Sequence, residues 1–293
     1  MWSMEIQACL PQKLREAISA LDAPVSDIRL FSGRPCSIQT AAGEVIVDCA
    51  LRADELHETA QRLCERRLRL SPETTGAGFI TLRGGHRMGL CGRVTRDGTQ
   101  LTLREIGSVC IRVAHEIKGC GARAAERARG KDALQGVLIV GAPGSGKTTL
   151  LRDAVRTLSD AGAAVGLCDE RGEVAACWRG APQLDVGCRT HVLDGCPKAE
   201  GLRWLLRALC PDFLAMDELY SAEECLAVRE AAACGVPVLA TAHAGGAADL
   251  CARKEIAMLL REGVFAHVLF LTNRRAIREM SAAEVLEAAC CAR

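Results

Sequence analysis

Downstream of Leu134, short apolar runs alternate with segments of helical spacing. Val137–Val140, Ala163–Cys168, Phe213–Met216, Val236–Ala240 and His267–Leu271 read as strands, and residues 147–160, 198–209, 221–234 and 246–261 as helices between them. Such alternation predicts an α/β domain with a mostly parallel sheet. Each predicted strand is followed by polar residues or glycines, at the end where open α/β sheets take their ligands. The amino half reads differently. Gln12–Leu21 and Asp54–Leu68 have helical spacing, with Leu56, Ala60, Leu63 and Cys64 on one face of the second. Runs around Ile28–Phe31, Cys36–Val47, Gly78–Leu82, Met88–Thr95 and Val109–Ala114 read as strands joined by glycine turns, among them Gly84-Gly85 and Arg96-Asp-Gly-Thr. The expectation is a smaller α+β amino-terminal domain with its linker at 1–125 and an α/β domain at 126–293. Residues 119–134 read as the linker and a surface helix.

The chain has 293 residues, 49% of them apolar and 25% charged, enough to build sizeable cores. The formal net charge is +1 and the aromatic content 3%. Residues 1–130 hold 19 basic and 15 acidic side chains, and residues 131–293 hold 18 and 21. Neither half makes a basic field, and few rings are available for base stacking, so nucleic acid is not the expected partner. No apolar run approaches a membrane span, and the first residues lack a signal-peptide core. The expected place is the cytoplasm, with any membrane contact made through partners rather than by insertion. The 17 cysteines are scattered, without a single C-x-x-C pair. That argues against a zinc site and predicts mostly small buried hydrophobes.

The strongest chemical signal is Gly141-Ala142-Pro143-Gly144-Ser145-Gly146-Lys147-Thr148-Thr149, a full G-x-x-x-x-G-K-T between a predicted strand and a predicted helix. The glycines let backbone N–H groups wrap phosphates at a helix amino end. Lys147, expected to face solvent when the loop is empty, would reach the β- and γ-phosphates of ATP, and Thr148 would ligate Mg²⁺. Phe213–Met216 ends in Asp217-Glu218. Asp217 would hold the Mg²⁺ shell, and Glu218 could activate water. Glu170 and Glu173, in the DERGE segment after the second strand, are alternative bases. His243, in Thr241-Ala-His243 after the fourth strand, is a candidate γ-phosphate sensor. Arg87 and Arg93, with Arg83, surround the Gly84-Gly85 turn and are candidate phosphate-binding groups. In sequence, one predicted strand separates the P-loop strand from the strand carrying Asp217. That pattern, with Glu after Asp, resembles the additional-strand class of P-loop ATPases, which includes RecA-like motors.

Several stretches together resemble the stage III sporulation protein AA family. They are GFITLRGGHRMGLCGRV (78–94), IRVAHEIKG (111–119), GAPGSGKTTLLRD (141–153), VGLCDERGEVAACWRGAPQLDVGCRTHVLDGCPKAEG (165–201) and PDFLAMDEL (211–219), with LFSGRPCSI (30–38) upstream. That family is similar to the traffic ATPases of type II and type IV secretion. The resemblance implies a RecA-like domain behind an amino-terminal domain, assembled as a homo-hexameric ring. It implies an ATP- and Mg-dependent ATPase in the mother-cell cytoplasm. Its partners would be the membrane and ring components of a sporulation channel joining mother cell and forespore. The acidic box would be Asp169-Glu170 with Glu173, and the histidine box Thr241-Ala-His243. His115 stands where the resemblance would place an arginine.

Overall fold

The computed structural model describes residues 4–65, 79–98, 100–272 and 276–291. The chain forms two compact units, Met1–His115 and Glu116–Arg293.

Among the described residues of the first unit, three helices, α1 (Met4–Cys9), α2 (Gln12–Ser19) and α3 (Ala53–Leu63), accompany six strands. The strands are β1 (Val25–Phe31), β2 (Cys36–Thr40), β3 (Gly43–Val47), β4 (Phe79–Thr81), β5 (Arg87–Asp97) and β6 (Gln100–Arg112). They form one sheet in the order β3-β2-β1-β6-β5-β4, antiparallel throughout. Leu14, Ile18, Leu56 and Ala60 from the helices meet Ile28, Ile38, Met88 and Ile111 of the sheet in one buried cluster. The alternation of these strand positions leaves one face apolar, so helices cover that face. The β4–β5 turn contains Gly84 and Gly85, both at positive φ (82° and 77°), a conformation costly for any other residue. Residues 66–68 of the second predicted helix, and Gly78 and Thr99, lie outside the described residues.

The second unit is a seven-stranded sheet flanked by helices. Its elements are α4 (Ala122–Arg129), β7 (Val137–Gly141), α5 (Lys147–Asp160), β8 (Val165–Asp169), β9 (Thr190–Asp194), α6 (Lys198–Leu209), β10 (Phe213–Met216), α7 (Ala222–Ala233), β11 (Val238–Ala242), α8 (Ala247–Ala252), α9 (Lys254–Arg261), β12 (His267–Leu271), β13 (Ile277–Ser281) and α10 (Ala282–Cys291). The sheet order is β13-β12-β7-β11-β10-β8-β9, parallel except for β13. Val137 and Ile139 of β7 enter the core under α4 and α5, while Leu138 and Val140 enter the opposite core, shared with α6, α7 and α9. A strand buried on both faces reads as a continuous apolar run, and all five residues of β7 are buried.

Several expectations change. Two strands, β8 and β9, lie in sequence between β7 and β10, not one, and the strand separating β7 from β10 in space is β11. Pro237 has no N–H for a ladder, and β11 starts after it, at Val238, so Thr241 lies inside the strand rather than past its end. The helix expected over 246–261 is two helices, because Arg253 is extended (φ −82°, ψ 107°). The segment read as linker and surface helix contains α4, with Ala124, Ala125 and Ala128 buried. The Gly121 N–H before α4 donates to Asp153 Oδ2 of α5 at 2.7 Å. A Cβ at Gly121 would sit 2.2 Å from Ala154 N, so the close approach of α4 to α5 requires glycine there. The cysteines are not mostly buried: Cys36, Cys49, Cys168, Cys177 and Cys225 are, whereas Cys91, Cys110, Cys188, Cys210, Cys234, Cys290 and Cys291 are exposed. Scattered single residues fall on whichever face the local period gives them.

Candidate nucleotide-binding site

The loop from Gly141 to Gly146 joins β7 to α5 at the carboxyl edge of the parallel strands. Gly144 and Gly146 take positive φ (71° and 98°), which turns the chain into the helix. A Cβ at Gly141 would meet Ser145 Oγ at 2.6 Å and the Leu271 carbonyl at 3.1 Å, so a larger residue there would have to displace the Ser145 hydroxyl. Lys147 is not solvent-facing as the sequence predicts; it is 8% exposed. Its Nζ donates to the carbonyls of Gly141 (3.0 Å) and Ala142 (2.9 Å), folding the side chain back over its own loop. Burial pushes the ammonium pKa below the usual lysine value, and the charges of Asp217 and Glu218 oppose that shift.

Beside the loop, the side chains of three elements meet. Thr148 Oγ1 of α5 donates to Asp217 Oδ2 at 2.7 Å. Thr241 Oγ1 of β11 donates to Asp217 Oδ1. The Glu218 N–H donates to Thr241 Oγ1 (2.8 Å) and Asp217 Oδ1 (3.0 Å). Asp217 is thus fixed between the P-loop helix and the intervening strand. Thr148 and Asp217 give a hydroxyl and a carboxylate at one point, the hard oxygen donors that suit Mg²⁺ when phosphates and water complete its shell. His243 meets the loop itself: its Nδ1 lies 3.0 Å from the Gly141 carbonyl, the same oxygen that accepts from Lys147 Nζ. Thr241, named from sequence within the histidine box but given no role of its own, is the group of that segment that touches Asp217. The available signal was a hydroxyl near the end of an apolar strand.

Glu170, Glu173 and Glu218 do come together, lining one cleft with Asp217, Arg171 and Lys198. Glu218 Oε2 accepts from Arg171 at 3.1 Å. Asp169, 2% exposed, is spent on structure. Its carboxylate accepts the N–H groups of Glu173 (2.8 Å), Val174 (3.1 Å) and Ala175 (2.8 Å). That holds the DERGE loop in one shape. Asp169→Ala is therefore expected to remove about 3 kcal/mol of local stability, because three buried donors lose a charged acceptor. Amide hydrogen exchange at residues 173–175 should accelerate by about 10²-fold, and unchanged rates would contradict the assignment.

Arg87 and Arg93 belong to the first unit and do not share one place. Arg87 opens β5 and stacks over the Phe79 ring, 4.3 Å from its centroid. Arg93 lies about 20 Å farther along the strand by its rise per residue, facing Glu105 at 3.5 Å with both side chains exposed. His86, between them and the glycine turn, is 2% exposed and accepts the Ala114 N–H at 3.0 Å. Its burial lowers the pKa to about 4, so it is neutral at pH 7 and serves to anchor the hairpin.

Among the described residues, no helix is long and apolar enough to cross a membrane. The fold has clear counterparts. The pilus retraction motor PilT with bound ADP superposes with a TM-score of 0.63 at 16% identity, over 95% of this chain and 87% of that one. The ATPase DotB of Legionella pneumophila gives 0.57 at 17% identity, over 94% and 85%. DotB of Yersinia pseudotuberculosis gives 0.60 at 13%, over 96% and 82%. These likenesses show that the chain has the RecA-like fold it shares with DotB and PilT. Sequence reaches further: Stage III sporulation protein AA of Bacillus subtilis (strain 168) is 35% identical over 282 residues, 92% of this chain and 91% of the relative. The profile of the family described as sporulation stage III, protein AA matches residues 4–282, taking in the P-loop, the DERGE loop and the Asp217 strand. With both units covered at that identity, the chain belongs to the stage III sporulation protein AA family.

Proposed function

We propose that the chain binds ATP with Mg²⁺ at residues 141–149 and hydrolyses it. The observation that carries this reading is the hydrogen-bonded set Thr148–Asp217–Thr241 beside a glycine loop at a helix amino end. Bound there, Mg²⁺ would neutralise charge on the β- and γ-phosphates. Lys147 leaves the Gly141 and Ala142 carbonyls for the nucleotide phosphates. Glu218, at the mouth of the cleft, orients water and takes its proton, with Glu170 and Glu173 as the competing bases. His243 links the Gly141 carbonyl to the end of β11, where a change at the phosphate can reach the adjoining strand.

In the cell, a homo-hexameric ring of this chain would energise a channel between mother cell and forespore. It would work from the mother-cell cytoplasm, held at the membrane by membrane and ring components of the channel. Family membership and the fold of secretion and pilus motors support this reading. The test is ATP turnover by the purified chain, in separated monomeric and assembled fractions, with and without single-stranded DNA. Mg-dependent turnover that rises with assembly and ignores DNA is expected. Stimulation by DNA would make the chain a nucleic-acid motor instead, and no turnover in any fraction would make it a nucleotide-dependent scaffold.

Arg87 and Arg93 are proposed to act on turnover more than on affinity, as groups that stabilise charge late in phosphoryl transfer do. Arg87→Ala and Arg93→Ala, compared at matched assembly, should each lower kcat while leaving ATP affinity near wild type. Unchanged turnover in both would leave the hairpin as a solvated or partner-facing surface.

A further inference from the structure

Glu218 is held by its backbone in an unusual way. Its φ is 51°, in the left-handed region that non-glycine residues seldom occupy and that persists where surroundings enforce it. On the amino side, its N–H is fixed by Asp217 and Thr241. On the carboxyl side, its carbonyl accepts from Lys198 Nζ at 2.6 Å. Lys198 comes from the first turn of α6 and is 9% exposed. Its ammonium also meets Glu224 Oε1 at 3.0 Å and lies 3.9 Å from Glu170 Oε2. Glu224 is itself fixed, accepting the N–H groups of Tyr220 (2.7 Å) and Ser221 (3.0 Å). A buried amine with a carbonyl and a carboxylate as partners has its donors paired rather than stranded.

We propose that Lys198 is a positioning residue for Glu218, fixing the backbone from which the Glu218 carboxylate projects toward the phosphoryl site. The lysine makes no contact with the P-loop among its hydrogen bonds and ion pairs given above; it reaches the chemistry through Glu218. Without it, the Glu218 carbonyl loses its donor, and the peptide after Glu218 is free to rotate out of the left-handed conformation. The carboxylate then swings with it. Misplacement of a reacting group by about 1 Å is enough to slow a reaction by about 10²-fold. This inference rests on the ATP-hydrolysis reading and on Glu218 as the base.

The experiment is a double-mutant cycle on turnover with Lys198→Met, Glu218→Gln and the double variant, alongside Lys198→Arg. Lys198→Met is expected to lower kcat by up to about 10²-fold. Affinity for a non-hydrolysable ATP analogue should stay within about threefold of wild type. Lys198→Arg, which keeps a charged donor, should recover part of the loss. In the Glu218→Gln background, Lys198→Met should slow turnover by less than about twofold further, because the group it positions is already gone. Where Lys198→Met fails to fold, Glu224→Gln carries the same cycle, since it loosens the lysine and leaves it in place. Loss that is additive with Glu218→Gln, or normal turnover in Lys198→Met, overturns the proposal while the ATPase reading stands. A wild-type chain that binds ATP but never turns it over removes both.

Discussion

Lys147→Ala is expected to lower the proposed ATP turnover by about 10²–10³-fold while the chain stays folded. Lys147 Nζ is bound to the carbonyls of Gly141 and Ala142, and its burial disfavours the charged form. Removing it leaves the buried Gly141 carbonyl, which still meets His243 Nδ1, and the half-buried Ala142 carbonyl, and it also removes a charge that burial had made costly. The two effects oppose each other, so the net change in stability is small. The loss appears in catalysis, where the ammonium would otherwise balance charge developing on the transferred phosphoryl group. Steady-state turnover and thermal unfolding of the same preparation check both halves. Near-normal turnover would remove the P-loop from the mechanism.

Glu218→Gln is expected to bind ATP and hydrolyse it about 10²–10⁴-fold more slowly. Gln keeps the volume of the side chain, and its amide oxygen can still accept from Arg171, which meets Glu218 Oε2 at 3.1 Å. Its backbone contacts with Thr241, Asp217 and Lys198 involve main-chain atoms and are untouched. What changes is the ability to accept a proton. The measurement is a comparison of Glu218→Gln, Glu170→Gln and Glu173→Gln for nucleotide affinity and single-turnover rate. If Glu218→Gln turns over normally and one of the other two is inactive, the base lies in the DERGE loop after β8.

How legible this molecule is from its sequence depends on how far apart the interacting residues stand. The strands β7, β10 and β12 could be read directly: each is a run of apolar residues buried against helices, bounded by turn residues. The edge strands β9 and β13 could not. Thr190–Asp194 and Ile277–Ser281 are short, half-exposed and carry polar residues, so neither shows a core strand's signature. The glycine loop and Lys147 are a local signal, because their geometry is set within a few residues of chain. Thr241 and Lys198 meet Asp217 and Glu218 across 24 and 20 residues, through the order in which the strands are laid down. That order places β11 between β7 and β10, and no local pattern reports it. In the Thr241-Ala-His243 segment, the histidine read as a candidate γ-phosphate sensor meets the Gly141 carbonyl, while the hydroxyl two residues earlier meets the site carboxylate. The arginines of β5 look clustered along the sequence because one-dimensional spacing ignores strand rise, which draws Arg87 and Arg93 apart.

Hydrolysis of ATP by the set formed by Lys147, Thr148, Asp217 and Glu218 is the proposal on which the other predictions depend. Its most direct test is phosphate release by the assembled wild-type chain at saturating ATP, with Mg²⁺ and then with the metal chelated. The account predicts turnover that requires the metal, disappears in Lys147→Ala, and is restored when Mg²⁺ is returned to the wild type. An assembled chain that binds ATP with Mg²⁺ and releases no phosphate above the Lys147→Ala background would contradict it.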